Sequence, residues 1–199
     1  MSFSNYKEVG QVQAEFNIRE KSEVFIIEKS VTPSENFLSE YTFTMEAFDV
    51  RSSEAARTET LIFPILREVY KDYHNRFSLW IQKSISAGKK LNGTPDYMVS
   101  AKSPLGKRVL TNPLLAVVEA KKNDFDTGWG QCLAELVALQ KINNDENIIV
   151  YGIVTDGERW KFGKLEKDVF TENQTTFTNE DLPHLFGALH FIFQSFAIK

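Results

Sequence analysis

The chain has 199 residues, 42% of them hydrophobic, a formal net charge of −4 and a single cysteine, Cys132. That length and apolar content suit one compact domain spanning residues 1–199, and one cysteine excludes an internal disulfide framework and a cysteine-based zinc site. No apolar run approaches the roughly 20 residues needed to span a bilayer, so a soluble cytoplasmic protein without a membrane partner is expected.

Residues 1–50 read as an amino-terminal extension, an extra layer or edge hairpin without evident chemistry. Within it Glu23–Glu28 has the apolar content of a strand, and Thr32-Pro33-Ser34-Glu35 reads as a turn into a short helix. Ser52 or Ser53 is a suitable N-cap with Glu54 in the first turn. Leu61, Ile62, Ile65, Leu66, Val69 and Tyr70 then recur at helical spacing, predicting a long helix from Ser53 to Asp72. Pro64 falls inside it and should bend or interrupt it.

Phe77–Gln82 alternates like a strand, Asn92-Gly93 reads as a turn, and Tyr97–Ala101 as a second strand. Ser103–Asn112 is predicted to be a hairpin loop. Leu114–Glu119 is almost wholly apolar, as expected of a central strand buried on both faces. Asp126 or Thr127 can cap a helix carrying Leu133, Leu136, Val137 and Leu139 that ends near Asn143-Asn144. Ile148–Val154 reads as another buried strand, Thr155–Glu158 as a tight turn, Trp160–Leu165 as its hairpin partner, and Asp181–Phe196 as a closing amphipathic helix. The expected fold class is α/β: a mixed sheet covered by helices, with a core over 53–154 and a hairpin partner and closing helix over 155–199.

Chemistry concentrates between Gly93 and Lys121. Asp96 follows a proline at the start of one short apolar run, and Glu119 and Lys121 stand two apart at the end of another. Residues i and i+2 of a strand share a face, so Glu119 and Lys121 project together while Ala120 points away. Ionised groups there are costly to bury without a purpose. An arbitrary Glu-x-Lys is nonetheless most often a structural ion pair on a sheet face. Charge is also uneven: residues 83–122 hold eight basic and two acidic residues, a net +6, which leaves −10 for the remainder. A positive surface there would attract phosphates.

Pro95-Asp96, followed 23 residues later by Glu119-Ala120-Lys121, resembles the signature of the PD-(D/E)XK nuclease superfamily, whose α-β-β-β-α-β core matches the predicted order between Ser53 and Val154. Ser53-Glu54 ahead of Leu61-Ile62-Phe63-Pro64, Gly130-Gln131-Cys132-Leu133-Ala134-Glu135, and Tyr151–Trp160 are similar to the amino-terminal nuclease domain of type I restriction motor subunits and related stand-alone bacterial proteins. The resemblance implies a restriction-endonuclease-like fold and a Mg²⁺- or Mn²⁺-dependent hydrolase of phosphodiester bonds, in DNA, serving restriction, defence or DNA processing.

Hard cations take oxygen ligands, which Asp96, Glu119 and the carbonyl of Ala120 can supply. Lys121 would stand beside the scissile phosphate. The resemblance adds Gln131, which in relatives contacts the catalytic lysine or the substrate backbone, and Glu54 as a further metal-ligand candidate. Glu59, five residues on and so roughly 140° round the helix, competes with Glu54. Some relatives carry a tyrosine where this chain has Glu135. Nucleic acid is the partner expected at the basic 83–122 region, and a homodimer or larger complex is compatible with the chain. The alternative reading is a catalytically silent nuclease-fold module for nucleic-acid or protein binding. His74, His184 and His190 show no ligand or triad spacing, and Trp129 and Trp160 read more readily as core than as base-stacking aromatics.

Overall fold

A computed structural model describes residues 2–122 and 124–196. In chain order the elements are α1 (Val9–Phe16), β1 (Arg19–Glu23), α2 (Glu35–Ala47), α3 (Glu54–Arg57), a π-helical turn (Thr58–Ile62), α4 (Phe63–Tyr70), β2 (Phe77–Ile81), β3 (Ile85–Ser86), β4 (Asn92–Gly93), β5 (Tyr97–Ala101), β6 (Thr111–Ala120), α5 (Phe125–Asn143), β7 (Val150–Thr155), β8 (Arg159–Glu166), β9 (Val169–Asn173), β10 (Phe177–Thr178) and α6 (Leu182–Ser195). The fold is α/β. The main sheet runs β1-β9-β8-β7-β6-β5-β2, with β10 also paired to β8, and β3 and β4 form a small separate ribbon.

Pairing is antiparallel except for β6 with β7 and β1 with β9. Two parallel strands need a long crossover, and α5 supplies it between β6 and β7. Helices cover both faces. Ile62, Ile65, Leu66, Leu185 and Leu189 pack over one face, and Leu133, Leu136 and Leu139 pack with Val12 over the other. In β6, Ala116, Val118 and Ala120 belong to the first core and Val117 to the second. By the two-residue period of a strand, Glu119 and Lys121 therefore follow Val117 to the α5 face.

The first long helix is entered through Ser53, whose Oγ accepts from the Ala56 N–H at 2.9 Å. Pro64 does not end it. The proline has no N–H to return to Thr60, and the turn before it widens so that the Phe63 N–H reaches back to Thr58, a π-type bond. Arg57, 5% exposed, donates from Nη1 to the carbonyl of Asp156 at 2.8 Å and to Glu158 Oε2 at 3.3 Å. This fastens the helix to the β7–β8 turn, where Gly157 adopts φ +87°.

Several expectations are corrected. The strand near the amino terminus is Arg19–Glu23, not Glu23–Glu28, and it is an edge strand beside β9 rather than a hairpin. Its sequence is charged and mostly exposed, a composition that guards an edge but hides it from hydrophobic patterning. The apolar run after it leaves the ladder because Asn173 Oδ1 takes the backbone N–H groups of Phe25 and Ile26 at 3.0 and 3.1 Å. Asn92-Gly93 is a strand of the small ribbon, not a turn. Helix α5 is capped by Asp124, which accepts from the Thr127 N–H at 3.1 Å, rather than by Asp126 or Thr127. Strands β9 and β10 were not predicted, being short and largely polar.

The amino-terminal segment lies directly on α5. A Cβ built on Gly130 would come 2.6 Å from the Glu8 nitrogen and 2.9 Å from the Tyr6 oxygen, whereas one on Gly10 in α1 meets nothing within 4 Å. Alanine in a helix gains about 1 kcal/mol over glycine, but overpacking against backbone costs roughly 1–3 kcal/mol. Gly130→Ala is therefore expected to lower, and Gly10→Ala to raise, the urea midpoint of unfolding.

Candidate functional site

The register of β5 on β6 pairs Tyr97 with Val118. One step further along this register sets Asp96, which just precedes β5, opposite Glu119 at the end of β6. Residues 23 apart in sequence thus become neighbours. Asp96 Oδ2 accepts from the Ala120 N–H at 2.8 Å, and the carbonyl of Asp96 accepts from the Gln82 N–H at 2.9 Å.

Glu119 and Lys121 project together, and Lys121 Nζ lies 2.8 Å from Glu119 Oε1. The lysine backbone is anchored by its N–H to the Thr155 carbonyl at 2.9 Å. Its stem packs on the first turn of α5, where a Cβ on Gly128 would come 3.1 Å from Lys121 Cγ.

Helix α5 brings a third carboxyl into this cluster. Glu135 is fully buried, its Oε1 accepts from Gln131 Nε2 at 3.2 Å, and its carboxyl is within hydrogen-bonding reach of Glu119. Gln131 is therefore bonded to Glu135; of the two contacts the resemblance implied, with the catalytic lysine or with the substrate backbone, the one with Lys121 is not made here. Among the buried polar atoms, Glu119 Oε2 and Glu135 Oε2 have no donor when both groups are carboxylates. One proton between the two carboxyls, which lie within hydrogen-bonding reach of each other, would resolve this.

Glu54 faces the same site from the start of α3, and its charge is felt at both Asp96 and Lys121. Glu59 is felt at Tyr97 instead, so of the two acids Glu54 is the one that faces Asp96 and Lys121.

The electrostatics follow from packing three carboxyls around one ammonium. Burial raises Asp96 from its ordinary value, against the pull of the Ala120 N–H and Lys121. Burial, and then the charge of Asp96, push Glu119 up to about 7 despite Lys121. Burial, and then Glu119, raise Glu135 well above the ordinary glutamate range. Burial works against the charged form of Lys121, but Glu119, Glu54 and Asp96 outweigh it and leave its pKa raised. This corner of the protein is short of positive charge.

A hard cation fits that deficit. The donors are all oxygen, and the buried Glu119 Oε2 has no donor unless a proton or cation supplies it. Among the described residues no three His, Cys, Asp or Glu groups are arranged to hold a metal ion. A cation here would thus rest on Asp96, Glu119 and backbone oxygen, leaving positions open to water and phosphate. The site lies where β5 begins and β6 ends, on internal strands of the sheet. A cavity of about 640 Å³ bordered by Phe16, Ile18, Asn144, Lys167 and Asp168 sits at the opposite end of α5 and includes none of these groups.

The basic segment does not form one surface. Lys83 follows β2 near Asp96, and Lys122 adjoins Lys121. Lys102, Lys107 and Arg108 occupy the β5–β6 loop, which the five residues of β5, at about 3.3 Å each, carry about 17 Å from Asp96. Lys90 pairs with Glu15 at 2.6 Å. Trp129 and Trp160 are buried in the core. His190 bonds the Tyr73 hydroxyl at 2.8 Å, and His184 pairs with Glu28 at 3.1 Å. Among the described residues no helix is long and apolar enough to cross a membrane. No protein-family model matches the chain, and no curated protein matches it.

Glu119 links the site to stability. Its folded pKa of about 7 exceeds the ordinary value of 4.5, so between those pH values the folded state holds a proton that the unfolded chain has released. Stability then falls as pH rises through that window and levels off above it. The ceiling is on the order of 3 kcal/mol at about 1.4 kcal/mol per pKa unit. Urea unfolding at pH 5 and pH 8 should show a smaller loss of stability for Glu119→Gln than for the wild type, and equal losses would exclude this linkage.

Proposed function

We propose that the chain is a metal-dependent nuclease that hydrolyses phosphodiester bonds, DNA being the substrate, within restriction, defence or DNA processing. The observation that carries this reading is the meeting of Asp96, Glu119 and Lys121 at adjacent strand ends, with a buried Glu119 oxygen lacking a donor. The resemblance of Pro95-Asp96 and Glu119-Ala120-Lys121 to the PD-(D/E)XK signature supports it.

Asp96, Glu119 and the Ala120 carbonyl would hold Mg²⁺ or Mn²⁺, which supplies charge neutralisation at phosphoryl oxygens and a lowered pKa for a nearby water. Lys121, tethered by its backbone to β7, presents a cation to the non-bridging oxygens as negative charge grows in the transition state. Asp96 and Glu119 orient the attacking water. The water oxygen forms a bond to phosphorus as the bond from phosphorus to the leaving ester oxygen breaks; a proton of the water passes to solvent, and the leaving oxygen takes one from solvent to become a hydroxyl. Glu54 stands at the rim, where it can add a ligand.

The reading is tested by incubating the protein with linear and circular DNA and with RNA, in Mg²⁺ or Mn²⁺. DNA cleavage is expected, falling at least 100-fold in Lys121→Ala and in Asp96→Ala, in the range seen when one such stabilising group is removed. A wild type that leaves every substrate intact with both metals would defeat the proposal.

One observation favours the second reading, a module that binds without turnover. Lys121 Nζ already stands 2.8 Å from Glu119 Oε1, and a proton shared with Glu135 would satisfy the buried oxygens without a metal. Mn²⁺ calorimetry separates the two: binding lost in Asp96→Ala supports the nuclease, and no binding by the wild type supports the module.

For the DNA contact, Lys83→Ala combined with Lys122→Ala is expected to weaken binding and flatten its salt dependence. Lys107→Ala combined with Arg108→Ala, on the distant loop, should do so less. Fluorescence anisotropy across a salt series measures both.

A further inference from the structure

We propose that Glu135 is a positioning residue of this site, which holds the Glu119 carboxyl and the Gln131 amide in fixed relation from the buried side. The inference rests on the reading of Asp96 and Glu119 as cation ligands.

Glu135 lies four residues after Gln131 on α5, so the two share a helix face one turn apart. Its neighbours in the helix sequence are apolar: Cys132, Leu133, Leu136 and Leu139 are all fully buried. A carboxyl in such a place is expensive, and a leucine of similar size would be expected there if packing were the whole requirement. The glutamate instead accepts from Gln131 Nε2 at 3.2 Å and lies within hydrogen-bonding reach of Glu119, the Oε2 atoms of both glutamates being buried without another partner.

Glu119 thus lies between Lys121, at Oε1, and the buried carboxyl of Glu135. With both contacts in place the carboxyl has little freedom to rotate, and ligands fixed in this way keep their oxygens aimed at the cation. Glu135 is not itself placed as a ligand: it is fully buried, and no three His, Cys, Asp or Glu groups among the described residues are arranged to hold a metal ion.

The test compares Glu135→Gln, Glu135→Leu and Glu135→Met with the wild type, by Mn²⁺ calorimetry, DNA cleavage kinetics and urea unfolding. Glutamine keeps both contacts, its NH₂ donating to Glu119 and its oxygen accepting from Gln131. Its Mn²⁺ affinity and kcat should stay within about threefold of wild type. The apolar variants should bind Mn²⁺ about 10–100-fold more weakly and lose kcat, with the KM for DNA little changed, while remaining as stable as the wild type or more so.

Apolar variants that bind Mn²⁺ like the wild type would overturn the inference and leave the nuclease reading intact. A Glu135→Gln protein that loses Mn²⁺ as fully as the apolar variants would overturn it differently, by making the carboxylate a ligand. If both apolar variants fail to fold, Glu135→Gln decides: retained affinity supports the role and a tenfold loss refutes it. A wild type without Mn²⁺ binding or cleavage defeats the nuclease reading and this inference together.

Discussion

The charge imbalance around Glu119 is the constraint on which the rest of this site depends. Its carboxyl is 2% exposed, with Lys121 on one side, Glu135 within hydrogen-bonding reach and Asp96 across the strand pair. Three carboxyls and one ammonium cannot all be charged in a medium of low dielectric without a large penalty. The Lys121 ion pair meets part of the deficit, and a proton shared between Glu119 and Glu135 would meet more of it. Anything positive that reaches the outer side of the cluster gains from the same deficit, which connects a local packing problem to the proposed chemistry.

The fold supplies the rigidity that keeps such a cluster together. β6 carries Glu119 and Lys121 in the middle of the sheet, hydrogen-bonded to β5 on one side and β7 on the other. The α5 crossover between β6 and β7 lays its first turn against the Lys121 stem and inserts Glu135 beneath Glu119. Opposite, buried Arg57 locks the helix that bears Glu54 to the β7–β8 turn. The widened turn before Pro64 lets that helix continue without breaking.

Legibility from sequence was uneven, for physical reasons visible in particular elements. β5, β6, α5, β7 and α6 have strong apolar patterns because they are buried, and their existence could be read directly. β1 is charged and β9 largely polar, each lying toward the sheet's edge, so neither has a hydrophobic period to detect. Glu23–Glu28 has the composition of a strand yet leaves the ladder because a distant side chain, Asn173, takes its backbone donors. Glu135 was visible as a departure from a pattern, but its partnership with Glu119 was not. The signal available was a glutamate inside an otherwise apolar helix face.

By itself the sequence determined what is local: the periods of the buried elements, the Ser53 cap, the tight turn at 155–158, and the i, i+2 relation that sends Glu119 and Lys121 to one face. Only the tertiary structure decided what meets what. The antiparallel register of β5 on β6 brings Asp96 to Glu119, the packing of α5 sets Glu135 beneath them, and the length of β5 splits the basic segment between two ends of the sheet. The division has a physical cause. Side-chain periodicity is a property of a few consecutive residues, whereas strand register and helix docking are settled by hydrogen bonds and packing between segments far apart in the chain.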